Sequence, residues 1–229
     1  MTSEEMLARL LYRDGLMLVV DKPAGLPVHR GPKGGDALED YFDALRFGLP
    51  RPPALAHRLD RDTTGCLVLG RHRKALALLG KLFKQGNVSK CYWAVVDGGP
   101  DTDEGRIDIP LAKRDDTRGW WMKADSHGLP SSSTWKVMGR GASMTWLALE
   151  PLTGRTHQLR VHCAEMGWPI IGDSIYGQAP RVGRSAFHLH SRAVTVPISK
   201  NKPPIKVTAP VPESMREKFS ACGWTGADD

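Results

Sequence analysis

Residues 73–85 carry the clearest structural signal in the chain. Apolar side chains fall at Ala75, Leu78, Leu79, Leu82 and Phe83, the i, i+3, i+4, i+7, i+8 spacing of one buried helix face. Gly86 is placed to cap the C-terminus of that helix. Apolar runs at Cys66–Leu69 before it and Tyr92–Val96 after it read as strands. The alternation does not continue. Trp135–Val137 and Thr145–Glu150 are strand candidates with a loop, not a helix, before them at 124–132. A further strand is expected over Leu16–Asp21, closed by Lys22-Pro23-Ala24-Gly25, and late strands at Ala193–Val196 and Ile205–Val207. Asp36 and Glu39 form a capping-box pair for a helix to about Phe47, stopped by Gly48 and Pro50. Gly154–Met166 and Pro212–Cys222 are the other helix candidates, and 98–105 is a loop. This irregular mixture predicts an α+β fold with a mixed, largely antiparallel central sheet flanked by helices, not a βαβ repeat. No repeat or linker divides the chain, so residues 1–229 are expected to form one domain.

Composition narrows the classes. The 229 residues hold 32 Lys+Arg against 25 Asp+Glu, a net charge of +7, which points to an anionic partner such as nucleic acid. Cys66, Cys91, Cys163 and Cys222 form no C-x-x-C, so reduced, mostly buried thiols in a cytoplasmic protein are expected. The N-terminus lacks a secretory pattern, and Leu16–Val20 is far too short to span a bilayer. No nucleotide-binding glycine motif appears.

Chemistry concentrates in three segments. His57-Arg58-Leu59-Asp60-Arg61-Asp62-Thr63-Thr64-Gly65 sets a carboxylate between two Arg, which favour its charged form. An ionised, positioned carboxylate is a competent nucleophile or base. A polar loop of local ion pairs is the alternative. In the second, Thr153 to His162, a helix would put Arg155, Leu159 and His162 on one face and Arg160 roughly 140° from Arg155. The alternative there is a solvated basic face, and zinc at His157 and His162 is not expected, because their i, i+5 spacing puts them on different faces and no Cys or carboxylate completes a set. Third, alternation along Lys90 to Val95 sends Tyr92 and Ala94 to one side and Trp93 and Val95 to the other. Tyr92 is then a core aromatic or a ring that stacks on a base. His188-x-His190 is given a structural role only.

Taken in order, these segments resemble the RluA-type pseudouridine synthase family, over about residues 16–210. Asp21 to His29 resembles its early motif, His57 to Gly65 its catalytic loop, and Lys90 with Tyr92 and Ala94 its aromatic strand. Gly154 to His162 and Ile171-Gly172-Asp173-x-x-Tyr176-Gly177 resemble its late motifs. Thr64 stands where the family usually has Ser, and with the first motif starting by about residue 16 no S4-type RNA-binding domain is expected. The resemblance implies the pseudouridine synthase fold and isomerisation of uridines in structured RNA, tRNA or 23S ribosomal RNA. That reaction needs no redox change or external group donor, so no cofactor or metal is expected, and a monomer is the default expectation. It implies Asp60 as nucleophile, Arg160 paired with it, and Tyr92 stacked on a flipped-out uracil, with Arg58 filling the gap in the RNA. His57, Arg61 and Arg155 are the other expected RNA contacts. Arg71, Arg73, Lys74, Lys81, Lys84, Lys113 and Arg114 are candidates for phosphates. A non-catalytic RNA-binding or ribosome-assembly protein on the same fold is the competing reading. A glycoside hydrolase using Asp60 and Asp62 ranks below it.

Overall fold

The computed structural model describes residues 1–31, 34–115, 120–180, 186–199 and 201–227. The first elements are α1 (Ser3–Ala8), β1 (Leu10–Arg13), β2 (Met17–Lys22), a 3-10 helix (Leu38–Leu45), β3 (Ala54–Leu55), β4 (Thr64–Gly70) and α2 (Arg73–Lys84). There follow β5 (Ser89–Asp97), β6 (Glu104–Asp108), β7 (Leu111–Lys113), β8 (Met122–Ala124), β9 (Ser132–Arg140) and β10 (Met144–Pro151). The chain closes with α3 (Gln158–Glu165), β11 (Leu189–Val196), β12 (Ile205–Thr208) and α4 (Glu213–Ala221). This is the expected α+β class. The residues group into two compact units: Met1–Lys90 with Ser191–Pro210, and Cys91–His190 with Val211–Asp229.

In the first unit the strands run β1-β2-β4-β11, with β3 on β4 and β12 on β11. β2 and β4 are antiparallel, from Met17 opposite Gly70 to Lys22 opposite Gly65. Side chains alternate across a strand. Met17 and Val19, with Cys66 and Val68, therefore meet Leu79 of α2 and Val194, Val196 and Val207 in a dry core. α2 matches its sequence signal closely, because a hydrophobic stripe and two caps act together. His72 Nδ1 accepts the Ala75 N–H at 3.2 Å. At the other end Gly86 adopts φ +72°. Its N–H reaches Phe83 O at 3.2 Å and the Asn87 N–H reaches Leu82 O at 3.0 Å, the paired bonds of a Schellman cap.

The helix expected over 36–47 forms as a 3-10 helix at Leu38–Leu45. The proposed cap pair is used differently. Ala37, not Asp36, takes the N-cap position, and Asp40 Oδ2, not Glu39, reaches back to accept its N–H at 2.9 Å. Glu39 is drawn to His29 Nδ1 at 2.6 Å.

In the second unit β5, β10, β9 and β6 lie side by side and antiparallel. Trp93 and Val95 of β5 join Trp146 against Met215 and Phe219 of α4, with Cys222 and Trp224 closing the cluster. Tyr92 and Ala94 take the opposite face, as alternation requires. A Cβ on Gly139 would lie 1.8 Å from the Cys222 carbonyl oxygen, so only glycine lets the end of α4 settle on β9. β7 and β8 form a separate two-stranded hairpin.

α3 begins at Gln158, four residues later than the sequence pattern suggests. His157 before it is left-handed, at φ 53° and ψ 18°. Arg155 therefore lies outside the helix and shares no helical face with Leu159 and His162, which corrects the expectation from spacing.

Candidate active site

In the first unit the geometry centres on Lys22. It ends β2 on the face of Leu18 and Val20, and its side chain is fully buried. Nζ donates to the carbonyl oxygens of Pro23 at 2.8 Å, Arg61 at 2.7 Å and Thr63 at 3.0 Å. An ammonium has three donors, and all three are used. Burial pushes the Lys22 pKa down to about 7, while Asp62 and Asp60 pull the other way. Two of the clamped carbonyls, those of Arg61 and Thr63, belong to one tight turn. The Thr63 N–H donates to Asp60 O at 3.2 Å, with Asp60 in the first turn position that Asp favours. Thr63 and Thr64 are buried and lead into β4.

The rest of the loop divides by exposure. Arg58 and Arg61 face solvent, Arg61 with Nη2 3.2 Å from Asp62 Oδ2. His57 behaves differently from the expected RNA contact. Its ring stacks on Phe83 with centroids 4.5 Å apart, and Nε2 accepts the Val68 N–H at 3.0 Å. Burial, reinforced by the Lys90 charge, drives its pKa down to about 3, so it is neutral at physiological pH and offers no cation to a phosphate. It anchors the loop. Arg71 is also committed, with Nη1 2.6 Å from Asp14 O and Nη2 3.4 Å from Arg46 O and Phe47 O. Asp21, beside Lys22, has its pKa raised to about 6 by burial, against the opposing charges of Arg9 and Lys22.

In the second unit Arg160 is buried on α3. Its Nε and Nη2 each donate to an Asp173 oxygen at 2.8 Å, a bidentate pair. Asp173 Oδ1 also accepts the Ile175 and Tyr176 N–H groups at 2.9 and 3.1 Å. Burial opposes ionisation of Asp173, but Arg160 and the two amides outweigh it and hold the carboxyl below its usual range. The Arg160 guanidinium also lies 5.2 Å from the Tyr176 ring centre and 5.0 Å from that of Phe187. The Tyr176 hydroxyl accepts the Met122 N–H at 2.9 Å and meets His157 Nδ1 at 2.7 Å.

Gln158 explains the late start of α3. Its buried Oε1 accepts from the Thr153 hydroxyl at 2.6 Å and the Arg155 N–H at 3.0 Å. Its Nε2 donates to Ser132 O and Ser133 Oγ, both at 2.9 Å. These bonds hold residues 153–155 off the helical path. Arg155 is exposed, with Nε 3.2 Å from Pro130 O. Tyr92 is buried in β5, opposite Leu149 of β10.

The first unit thus gathers His57, Arg58, Asp60 and Arg61 on one loop, and the second holds Arg155 and Arg160 around the start of α3 with Tyr92 on β5. Sequence reasoning gave no role to Lys22 or Asp173. The available signals were a lysine on the buried alternation of β2, and a lone carboxylate after Ile171-Gly172. Among the described residues no group of His, Cys, Asp and Glu could hold a metal ion. No helix among them is long and apolar enough to cross a membrane.

Residues 16–165 match the family model for RNA pseudouridylate synthase. An uncharacterized RNA pseudouridine synthase of Zymomonas mobilis is 41% identical over 213 residues, covering 91% of this chain and 96% of that protein. The ribosomal large subunit pseudouridine synthase C of Haemophilus ducreyi is 33% identical, over 93% of this chain and 68% of its own. The solved structure of human RNA pseudouridylate synthase domain containing 4 superposes with a TM-score of 0.80 at 25% identity, over 96% of this chain and 95% of that one. The α+β fold with its largely antiparallel sheet is shared with that pseudouridylate synthase domain. The chain belongs to the RNA pseudouridine synthase family, on its RluA-type branch.

Proposed function

We propose that Asp60 is the nucleophile that isomerises selected uridines of tRNA or 23S ribosomal RNA to pseudouridine, with Tyr92 and Arg160 as the other catalytic groups. The reaction breaks the N1–C1′ bond, joins C5 to C1′, releases the C5 proton and leaves N1 carrying a proton in its place. Oxidation state is unchanged. A stacked uridine hides these atoms, so the base is extruded into the protein before reaction. Tyr92 stacks on the uracil, and Arg58 fills the gap left in the RNA. Arg61 and Arg155, both exposed, contact phosphates.

The observation that carries this reading is the Lys22 clamp. A buried ammonium spent on the Arg61 and Thr63 carbonyls, inside the turn that opens at Asp60, is costly to desolvate. An ordinary surface loop has no need of it, whereas a nucleophile must be held in place. The test incubates the purified chain separately with unmodified tRNA transcripts and a 23S transcript, and maps pseudouridine in each. Conversion at discrete uridines in one of them is expected. RNA binding without conversion in either would overturn the proposal in favour of a non-catalytic role.

A further inference from the structure

Trp120 is the largest exposed apolar side chain of the second unit, 56% accessible, and the reaction proposed above gives it no task. It stands just before β8 on the β7–β8 hairpin. Its ring neighbours among the described residues, Trp121 at 5.5 Å and His157 at 5.7 Å, meet it at 80° and 84°. Neither is a parallel stack. Single exposed apolar side chains are ordinary, so the case for a partner that covers this indole rests on what surrounds it.

Its surroundings point to such a partner. His157 is the left-handed residue before α3, two positions from the exposed Arg155. His157 also meets Tyr176, with ring centres 5.5 Å apart, and Tyr176 lies under the Arg160 guanidinium at 5.2 Å. A short relay of ring contacts thus joins Trp120 to Arg160. Lys113 and Arg114, both exposed, lie across the hairpin from Met122 and Trp121: Lys113 pairs with Met122, and the Arg114 N–H donates to Trp121 O at 2.7 Å. An exposed indole flanked by cations and linked to a uridine-handling arginine fits a nucleobase on its face and phosphates at its sides.

We propose that Trp120 is a stacking platform for an unpaired nucleotide flanking the target uridine, and so a specificity-determining residue. The proposal rests on the RNA-isomerase reading above. His157 sets the ring's position, and Tyr176, fixed by accepting the Met122 N–H, sets that of His157 through the 2.7 Å contact of its hydroxyl with Nδ1. A base held there restrains one neighbour of the target while the target itself is extruded. Paired nucleotides cannot use the platform, because their faces are already stacked.

The test uses the full chain with fluorescein-labelled twelve-residue oligouridylate and a twelve-base-pair RNA duplex, read by fluorescence anisotropy. Trp120→Ala is expected to weaken oligouridylate binding about 5- to 150-fold, the range for loss of one base–aromatic stack. Duplex affinity stays unchanged and Trp120→Phe keeps most of the single-strand affinity. On a convertible RNA, Trp120→Ala raises KM and leaves kcat alone. Unchanged oligouridylate binding, or equal loss for strand and duplex, overturns the proposal. So does a parent chain that shows no preference for the single strand. Binding and conversion are read separately. A parent that converts uridine while Trp120→Ala binds normally removes the platform and leaves the function, and a parent that binds through Trp120 but converts no uridine does the reverse.

Discussion

Removing the carboxylate of Asp173 tests how the second unit holds Arg160. The Arg160 side chain is only 10% accessible and that of Asp173 1%, so the pair is buried. Deleting one partner of a buried pair leaves an uncompensated charge, a loss of about 3–5 kcal/mol. Asp173→Asn retains an oxygen for the Ile175 and Tyr176 N–H groups, and a loss of about 3 kcal/mol is expected. Asp173→Ala also strands those two donors, and about 5 kcal/mol is expected. Total stability of a domain is only about 5–15 kcal/mol. The assay is urea denaturation followed by tryptophan fluorescence. All seven tryptophans lie in the second unit, so the signal reports on the unit that contains the pair. With a slope of about 1–3 kcal/mol per molar urea, Asp173→Asn should lower the midpoint by roughly 1–3 M. The pH dependence has a defined sign. A depressed folded-state pKa gives stability that is full above the ordinary value of 3.8 and lost as pH falls through the folded value. The gap between parent and Asp173→Asn therefore narrows in acid. A midpoint unchanged at neutral pH, or a gap that widens below pH 3.8, would refute the reasoning.

Two further outcomes follow from the same geometry. Lys22→Met should destabilise by about 1–3 kcal/mol, since three carbonyls lose their donor while a buried charge is relieved, and should slow conversion at least about tenfold. The unfolded chain keeps the Lys22 proton between pH about 7 and 10.5 where the folded chain has released it, so the parent gains stability across that window and Lys22→Met does not; full activity in the variant contradicts the clamp. Gln158→Ala should cost about 2–4 kcal/mol and speed hydrogen exchange at the Arg155 amide, and unchanged exchange there would show that the side chain does not hold the 153–155 loop.

What the sequence made legible was whatever local pattern decides. α2 is visible because a hydrophobic stripe, His72 and Gly86 all lie within one stretch of chain. The faces of β5 follow from period two alone. The start of α3 is not visible, because it depends on Gln158 reaching Ser132 and Ser133, about 25 residues away in the chain. The 3-10 helix departs from its expected form for a similar reason, since His29 captures the expected cap partner Glu39. β1, β3, β6, β7 and β8 are short and carry little alternation, so their pairing partners define them. At the site, Asp60, Arg160 and Tyr92 were singled out by the family resemblance of their motifs. Lys22 and Asp173, which position neighbouring groups, sat inside quoted motifs without a role. Their roles come from contacts 39 and 13 residues away in the chain, to Arg61 and Arg160.

The most direct test of the account is a single-turnover measurement on RNA tritiated at uracil C5. Joining C5 to the ribose must release that tritium, so release counts isomerisation events. Asp60→Asn keeps shape and turn position but removes the nucleophilic charge. The account predicts release slowed by at least about 10³-fold, with RNA affinity and the urea midpoint unchanged. Tritium release by Asp60→Asn at the rate of the parent chain would contradict it.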